Sequence, residues 1–323
     1  MKLAFMGTPQ FAVPTLRALH ASSHDVRLVV TNPDRPAGRG RKLRPPPVKE
    51  AALDLGLPLL QPEGVDDERL DQALREADVD AFVVVAFSIL PDRLLAIPRL
   101  GSINLHPSLL PAYRGAAPIV WALFAGEQET GLTTFLLNDR IDGGDVLMQE
   151  TVDIGPDETA GELEARLCVL GADVVVRTCD GLSSGRLTPM PQPRRAASRA
   201  PKLSKTDGRV DWRQSTQTIR NRIRGANPMP GAYTEWDGRI LKIHRAVIDP
   251  ASDQPAEANL GRTPSEPGTV LDITTGVTVA TGDGLLRLIE VQPEGKPRMA
   301  AEDFVRGYSI APGIRLGLSD DPA

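Results

Sequence analysis

The chain has 323 residues, 41% of them apolar and 24% charged, which is more than one core ordinarily absorbs, so two domains are expected. It holds no apolar run long enough to span a bilayer, and the opening MKLAFMG reads as a first strand and not as a secretory leader; the expectation is a cytoplasmic protein. The net charge of -5 is uneven: residues 1–185 carry 17 Lys+Arg against 26 Asp+Glu, and residues 186–323 carry 20 against 16, so the second half is expected either to meet a polyanion or simply to present a basic solvated surface.

In chain order, apolar runs alternate with amphipathic segments through the first half, the pattern of a mostly parallel sheet covered by helices. Strands are expected at Lys2–Met6, Val26–Thr31, Ala81–Phe87, Ser102–His106, Leu132–Leu137 and Val146–Ile154, with helices starting near Phe11, Val48, Asp66 and Ala117. A longer helix is expected from Asp157 towards Gly185. It carries Cys168 and Cys179, which are the two cysteines of the chain. At 1.5 Å per residue they stand roughly 16 Å apart along it, too far to bridge. The stretch RLTPMPQPRRAASRAPKLSK, 186–205, has four prolines and no acid, and reads as an extended linker without helix or strand. Beyond it come a short helix at TQTIRNRIRGA and five β-like runs, AYTEW, RILKIHRAV, GTVLDIT, GVTVATGDG and LLRLIEVQP, spaced as in a small β-barrel. The expected division is 1–185, a linker over 186–206, a barrel over 207–315 and a frayed tail over 316–323.

Chemistry concentrates in NLHPSLLPAYRG, residues 104–115. Side chains alternate along a strand, so Asn104 and His106 share one face while Ile103 and Leu105 take the other. The carboxyl edge of an open α/β sheet is where ligands bind, and Pro107 keeps His106 extended at that edge. The competing structural reading is a core histidine and asparagine satisfied by backbone groups. A second polar cluster, NDRIDGGDVL at 138–147, sets Asp142 before a Gly-Gly turn that can aim its carboxylate at the same crevice. Asparagine, histidine and aspartate together suit acyl transfer to an amine: an oxyanion donor, a proton acceptor and a carboxylate to set the imidazole's charge.

INLHPSLLPAYRGAAPI with DRIDGGDVL resembles the signature of the folate-dependent formyltransferases. AFMGTPQFAVPTLRAL, TNPDRPAGRGRKLRPPPVKEAA, APKLSKTDGRVDW, IRNRIRGANPMPGAYT and VATGDGLLRLIEVQPEGKPRM extend the likeness over nearly the whole chain, towards the branch that formylates methionyl-tRNA. The resemblance implies a Rossmann-like catalytic domain followed by a smaller OB-like β-barrel domain, 10-formyltetrahydrofolate as co-substrate, no metal, and methionyl initiator tRNA as partner of a monomer. It implies that Asn104 binds the formyl oxygen, that His106 assists proton removal or stabilises the intermediate, and that Asp142 tunes His106. It places the folate against Phe87, Ser88, Ile89, Leu90 and Pro91, against Ser108, Leu109, Leu110 and Pro111, and against Leu137, Asn138, Asp139, Arg140 and Ile141. The AFSILP segment is one residue shorter than the common form, with Phe87 where tyrosine is usual.

The loop NPDRPAGRGRKLRPPP carries Arg35, Arg39, Arg41, Lys42 and Arg44 among glycines and prolines, a composition suited to ordering on RNA. The resemblance implies that this loop enters the tRNA acceptor stem, with Arg39 as its key arginine. Lys202, Lys205, Arg209, Arg220, Arg222 and Arg224 are expected to supply phosphate contacts from the second half. Relatives that formylate an amino sugar nucleotide or glycinamide ribonucleotide would keep the three catalytic positions and have no use for the basic loop; a hydrolase releasing formyl from the same folate is a further alternative. MGTPQF lacks the G-x-G-x-x-G glycines of a dinucleotide site, a non-catalytic tRNA-binding module leaves the polar triad unexplained, and the two cysteines and four histidines show no zinc spacing.

Overall fold

A computed structural model describes residues 1–37, 42–193, 196–249 and 265–317. The first of its two compact units comprises Met1–Pro118, Glu129–Asp153 and Leu163–Pro201. In chain order it contains strand β1 (Lys2–Gly7), helix α1 (Val13–Ala21), β2 (Asp25–Val30), β3 (Arg35–Ala37), β4 (Lys42–Arg44), α2 (Pro47–Asp54), β5 (Leu59–Leu60), α3 (Glu68–Glu76), β6 (Ala81–Val85), α4 (Asp92–Leu95), β7 (Ser102–His106) and β8 (Arg114–Gly115). After α5 (Pro118–Ala125), nearly all of which belongs to the second unit, follow β9 (Glu129–Leu136), β10 (Val146–Asp153), α6 (Ala160–Ser183) and β11 (Arg199–Ala200). The main sheet runs β10-β9-β7-β6-β1-β2-β5, with β7, β6, β1, β2 and β5 parallel and β9 antiparallel to both of its neighbours, β7 and β10.

Strands buried on both faces need apolar residues at every position, and AFVVV of β6 is buried throughout. One face packs Ala4, Met6, Val30, Phe82 and Val84 against Leu70 and Leu74 of α3 and Leu94 of α4. Fully burying each of the larger side chains contributes about 1.5–3 kcal/mol. Strand order reverses between β1 and β6, the kind of switch point beside which ligands bind in an open α/β sheet, and β7 pairs with β6 next to it. Cys168 and Cys179 are free and buried on α6, and burial pushes the Cys179 thiol up to about 12.

The second unit comprises Ile119–Gln128, Ile154–Glu162 and the chain from Lys202 onward. It holds α7 (Thr216–Gly225), β12 (Ala232–Trp236), β13 (Arg239–Ile248), β14 (Val270–Asp272), β15 (Val277–Ala280), β16 (Leu285–Pro293), β17 (Met299–Ala300) and α8 (Ala301–Gly307). The antiparallel order β12-β13-β16-β15-β14 makes a curled half-barrel, filled by Trp212, Ile219, Ile223, Leu241, Ile243, Leu286, Leu288, Val291 and Phe304. Buried Trp212 satisfies its indole N–H on Thr234 Oγ1 at 3.0 Å, and the Ser215 hydroxyl caps α7 by accepting from Thr218 N–H.

Two expectations change here. The stretch expected as a featureless linker contains β11, which pairs in parallel with β8, and Met190 bridges Val146. Few backbone N–H groups are needed for this: Pro-rich chain pairs through its carbonyls and the N–H groups of its non-proline residues. The charge asymmetry between sequence halves also vanishes. Counted by folded unit, the first carries 21 Lys+Arg and 22 Asp+Glu and the second 16 and 20, because basic residues 186–201 fold with the first unit and acids Glu127, Asp157, Glu158 and Glu162 with the second.

Phe304 is fully buried, edge-on to Trp236 at 5.1 Å and tilted against Tyr308 at 4.9 Å. Phe304→Ala is expected to destabilise the half-barrel by about 3–5 kcal/mol. Trp121, Trp212 and Trp236 all lie in this unit, so tryptophan fluorescence during urea unfolding reads the loss directly, as a lower midpoint.

Candidate active site

Of the three polar side chains expected to converge, Asn104 and His106 stand two residues apart near the carboxyl end of β7, and His106 faces Asp142 from the loop after β9. Asn104 is half-buried, and its Nδ2 donates to the carbonyl of Val84 on β6 at 3.1 Å. That bond orients the amide and uses one of its two N–H groups, leaving the second for an oxygen in the crevice. His106 is buried at 5% exposure, and its Nε2 lies 2.9 Å from the Tyr113 carbonyl. A carbonyl only accepts, so Nε2 carries the proton and Nδ1 is the basic nitrogen. Nδ1 faces Asp142 Oδ2 at 3.8 Å, beyond hydrogen-bond range but close enough for strong electrostatic attraction once the ring is protonated. Asp142 Oδ2 in turn accepts from the Gly115 backbone N–H at 2.7 Å.

Burial pushes the His106 pKa below its ordinary value, with the Asp142 charge and the Tyr113 carbonyl opposing the shift. The imidazole is therefore neutral near pH 7, able to receive a proton, and beside a carboxylate that stabilises the result.

The two loops holding this arrangement are both unusual. Tyr113 has φ 59° and Asp142 φ 47°, left-handed conformations that are uncommon without glycine, although aspartate tolerates them better than tyrosine. Gly144 closes the second loop where a Cβ would stand 1.6 Å from the Leu136 carbonyl oxygen, so only glycine fits. Thr133 on β9 ties the SLLP turn: its hydroxyl donates to the Ser108 carbonyl at 2.6 Å and accepts from Leu110 N–H at 3.1 Å and from Gln149 Nε2 at 2.9 Å.

The expected folate-lining residues divide by exposure. Ser108 and Leu110 are buried within the fold, the Ser108 hydroxyl donating to the Ala112 carbonyl, so these side chains build the turn. Leu90 is likewise buried, while Phe87, Pro91, Leu109, Pro111, Leu137 and Asn138 are half-buried. Ser88, Ile89, Asp139, Arg140 and Ile141 are exposed, with Ile89 at 76% and Ile141 at 66%. Ile89 and Ile141 are thus large apolar side chains left open to solvent, as surfaces that meet a ligand or partner often are.

The basic loop starts as the β3–β4 hairpin, where Arg35 stands directly opposite Arg44, both exposed. Like charges facing each other across a ladder destabilise it until an anion intervenes. Arg39 and Arg41 lie outside the described residues; Lys42 pairs with Ala37 through its backbone. At the hairpin's base Asp34 is held by Lys49 Nζ at 2.8 Å and by Gln61 Nε2 at 2.8 Å; the Gln61 hydrogen bond first, then Lys49, keeps its carboxyl below the usual range.

In the second unit Lys202 and Lys205 are exposed and Arg209 half-buried, but the α7 arginines serve the fold. Arg220 pairs with Asp157 and donates to the Pro156 carbonyl; Arg222 donates to the Asp207 carbonyl and lies over the Phe124 ring, 5.0 Å from its centre. Arg224, 8% exposed, donates to Asn221 Oδ1 and the Gly155 carbonyl. Sequence displays their charge and hides these partners. It also passes over Thr133, Gln149, Tyr113, Gly115, Arg114 and Gln192, which act through backbone groups and leave no pattern; only the adjacency of Tyr113, Arg114 and Gly115 to the SLLP turn could have singled them out.

An open α/β sheet presenting an asparagine, a buried neutral histidine and a carboxylate at its carboxyl edge defines a group-transfer site with no nucleophilic serine or cysteine among the three. The formyl transferase family model matches residues 1–179, and the model of the formyl transferase C-terminal domain matches residues 202–309. The chain belongs to the formyl transferase family. It is 49% identical over 324 residues to the methionyl-tRNA formyltransferase of Heliobacterium modesticaldum, covering 98% of this chain and 100% of that one. Identity to the methionyl-tRNA formyltransferase of Geobacter metallireducens is 46%, over 98% and 99%. Among solved structures, the sugar 3N-formyl transferase WlaRD shares the fold at a TM-score of 0.64 and 16% identity, over 92% of this chain and 99% of that one. HypX from Aquifex aeolicus, solved with tetrahydrofolic acid, does so at 0.62 and 18%, over 95% and 47%.

Asp142→Asn removes the charge that opposes burial, so the His106 imidazole is expected to titrate at still lower pH than in the parent protein. The sign for stability follows: a histidine with a depressed folded pKa leaves stability intact above its unfolded value near 6.5 and erodes it as pH falls below that. NMR titration of the imidazole across the two proteins checks the first statement, and urea midpoints at descending pH check the second.

Proposed function

We propose that this protein transfers the formyl group of 10-formyltetrahydrofolate to the α-amino group of methionyl initiator tRNA, working as a monomer in the cytoplasm. The observation that carries the reading is the near-full-length likeness to methionyl-tRNA formyltransferases, in a chain whose Asn104 and His106 share one strand end and whose Asp142 faces His106. The α-amino nitrogen attacks the formyl carbon, and the second amide N–H of Asn104 donates to the oxygen as it gains charge. Nδ1 of His106 accepts the proton released from the amine, and Asp142 stabilises the imidazolium. As the carbonyl re-forms, the bond from carbon to N10 of the folate breaks and the proton leaves with that nitrogen. Phe87, Ile89, Leu137 and Ile141 supply apolar wall to the pterin, while the SLLP turn supplies backbone polar groups.

The test is formyl transfer from 10-formyltetrahydrofolate to methionyl initiator tRNA, beside elongator methionyl-tRNA and a His106→Ala control. Product with the initiator, lost in the control, is expected. Folded protein that binds the folate yet formylates neither tRNA would send the assignment to amino sugars or glycinamide ribonucleotide.

Phosphate contacts are assigned first to the β3–β4 hairpin and to Lys202 and Lys205, and only secondarily to Arg220, Arg222 and Arg224, whose guanidiniums already have protein partners. Arg35→Ala with Arg44→Ala is expected to lower the slope of log K against log salt by roughly 0.9 for each phosphate that the pair neutralises in the parent protein. Arg224→Ala is expected chiefly to reduce folding stability and to lower that slope less than the Arg35 and Arg44 pair does. Filter binding across a salt series separates the two.

A further inference from the structure

The Pro-rich segment after α6 touches both loops of the site. Gln192 Nε2 donates to the backbone carbonyls of Asp142 at 3.0 Å and Gly144 at 2.7 Å. Its Oε1 accepts from Nε and Nη2 of Arg114. The assignment of oxygen and nitrogen in this amide is forced, since a guanidinium only donates and carbonyls only accept. Both amide hydrogens are thereby spent on the turn that carries Asp142 in its left-handed conformation.

A few residues on, the same segment grips the other loop. Ser198 Oγ accepts from Tyr113 N–H at 2.8 Å, the Ser198 carbonyl accepts from Arg114 N–H at 2.9 Å, and the Ala200 carbonyl accepts from Ala117 N–H at 3.2 Å. Tyr113 is the residue whose carbonyl holds His106 Nε2, and Gly115 is the one whose N–H holds Asp142. One segment, then, fixes the backbone behind the imidazole and the backbone behind its carboxylate, and neither contact reaches the crevice itself.

We propose that residues 190–193 and 196–200 form a brace that sets the separation of His106 from Asp142, with Gln192 as its positioning residue: it acts on the reaction through the Asp142 turn and touches no reacting atom. The inference rests on the formyl-transfer reading for its kinetic effect, but its geometric content is independent of the substrate. Asp142 is the charged group that faces His106, and the Tyr113 carbonyl is the other group that shifts its titration; the brace holds both. A turn released from Gln192 can relax out of the left-handed conformation, and displacements near 1 Å in such sites cost up to about 10²-fold in rate.

Two variants test this in the full-length protein. Gln192→Met keeps the side chain's length and removes both donors; Gln192→Glu keeps an acceptor for Arg114 and removes the donors to Asp142 and Gly144. Both are expected to lower kcat about 10- to 100-fold with KM for folate and tRNA changed less than about 3-fold, and to move the His106 NMR titration to lower pH as Asp142 withdraws. A His106 titration unchanged in both variants overturns the proposal whatever the activity does, and so does a loss confined to KM. Should the parent protein fail to formylate methionyl-tRNA, the functional reading falls while the His106 titrations still decide whether Gln192 positions Asp142.

Discussion

A buried imidazole must satisfy its N–H, and the bond from His106 Nε2 to the Tyr113 carbonyl is the constraint around which this site is built. It settles which ring nitrogen is basic. It also obliges the chain to bring a carbonyl back over the end of β7 within seven residues, which the SLLP turn does by turning through Thr133 and reaching Tyr113 in a left-handed conformation. Once Tyr113 is there, Gly115 follows two residues later at the right place to offer its N–H to Asp142. The histidine's partner and the aspartate's partner are thus two ends of one short stretch, and a displacement of that stretch moves both.

The electrostatics follow from the same enclosure. Burial keeps His106 neutral, and a carboxylate at 3.8 Å stands ready to stabilise it if it charges. Closer approach would favour the imidazolium before any substrate arrived; greater distance would leave the charged form unsupported in a low-dielectric site. Left-handed backbone at a non-glycine residue costs on the order of 1–3 kcal/mol and persists only where surrounding contacts over-determine it. Those contacts at Asp142 are Gly144's close approach to Leu136, the Gly115 N–H and the Gln192 amide.

Legibility in the sequence tracked the range of the interaction. Period-two alternation put Asn104 and His106 on one face, and six of the seven main-sheet strands were readable, most plainly β1 and β6, whose burial on both faces leaves continuous apolar runs; β5, only two residues long, left none. What escaped were contacts between distant residues made through backbone atoms. Gln192 meets Asp142 across fifty residues of chain, from a Pro-rich stretch whose composition announces only that it is irregular. The α7 arginines failed in the opposite way: their charge was plain, but Asp157 and the Gly155 and Pro156 carbonyls come from a segment that reads as the entry to a catalytic-domain helix. The separation of polar triad from basic loop was readable; the allocation of charge to folded units was not.

That allocation bears on how a polyanion is met. A sequence count assigns the positive excess to the second half, yet folding moves four acids into that unit and hands the basic stretch 186–201 to the first, so neither unit is a cationic body. Long-range steering by net charge is weak in such a molecule, and attraction must come from local concentrations of unpaired cations within about a Debye length, roughly 8–10 Å. Among the described residues these include the facing Arg35 and Arg44, the exposed Lys202 and Lys205, and Arg199, exposed one residue from the strand pairing that fixes Gly115. A phosphate drawn to Arg199 would therefore bind on the segment that contacts both the Tyr113 and the Asp142 loops, so recognition of the backbone and support of the His106–Asp142 pair would share one piece of chain.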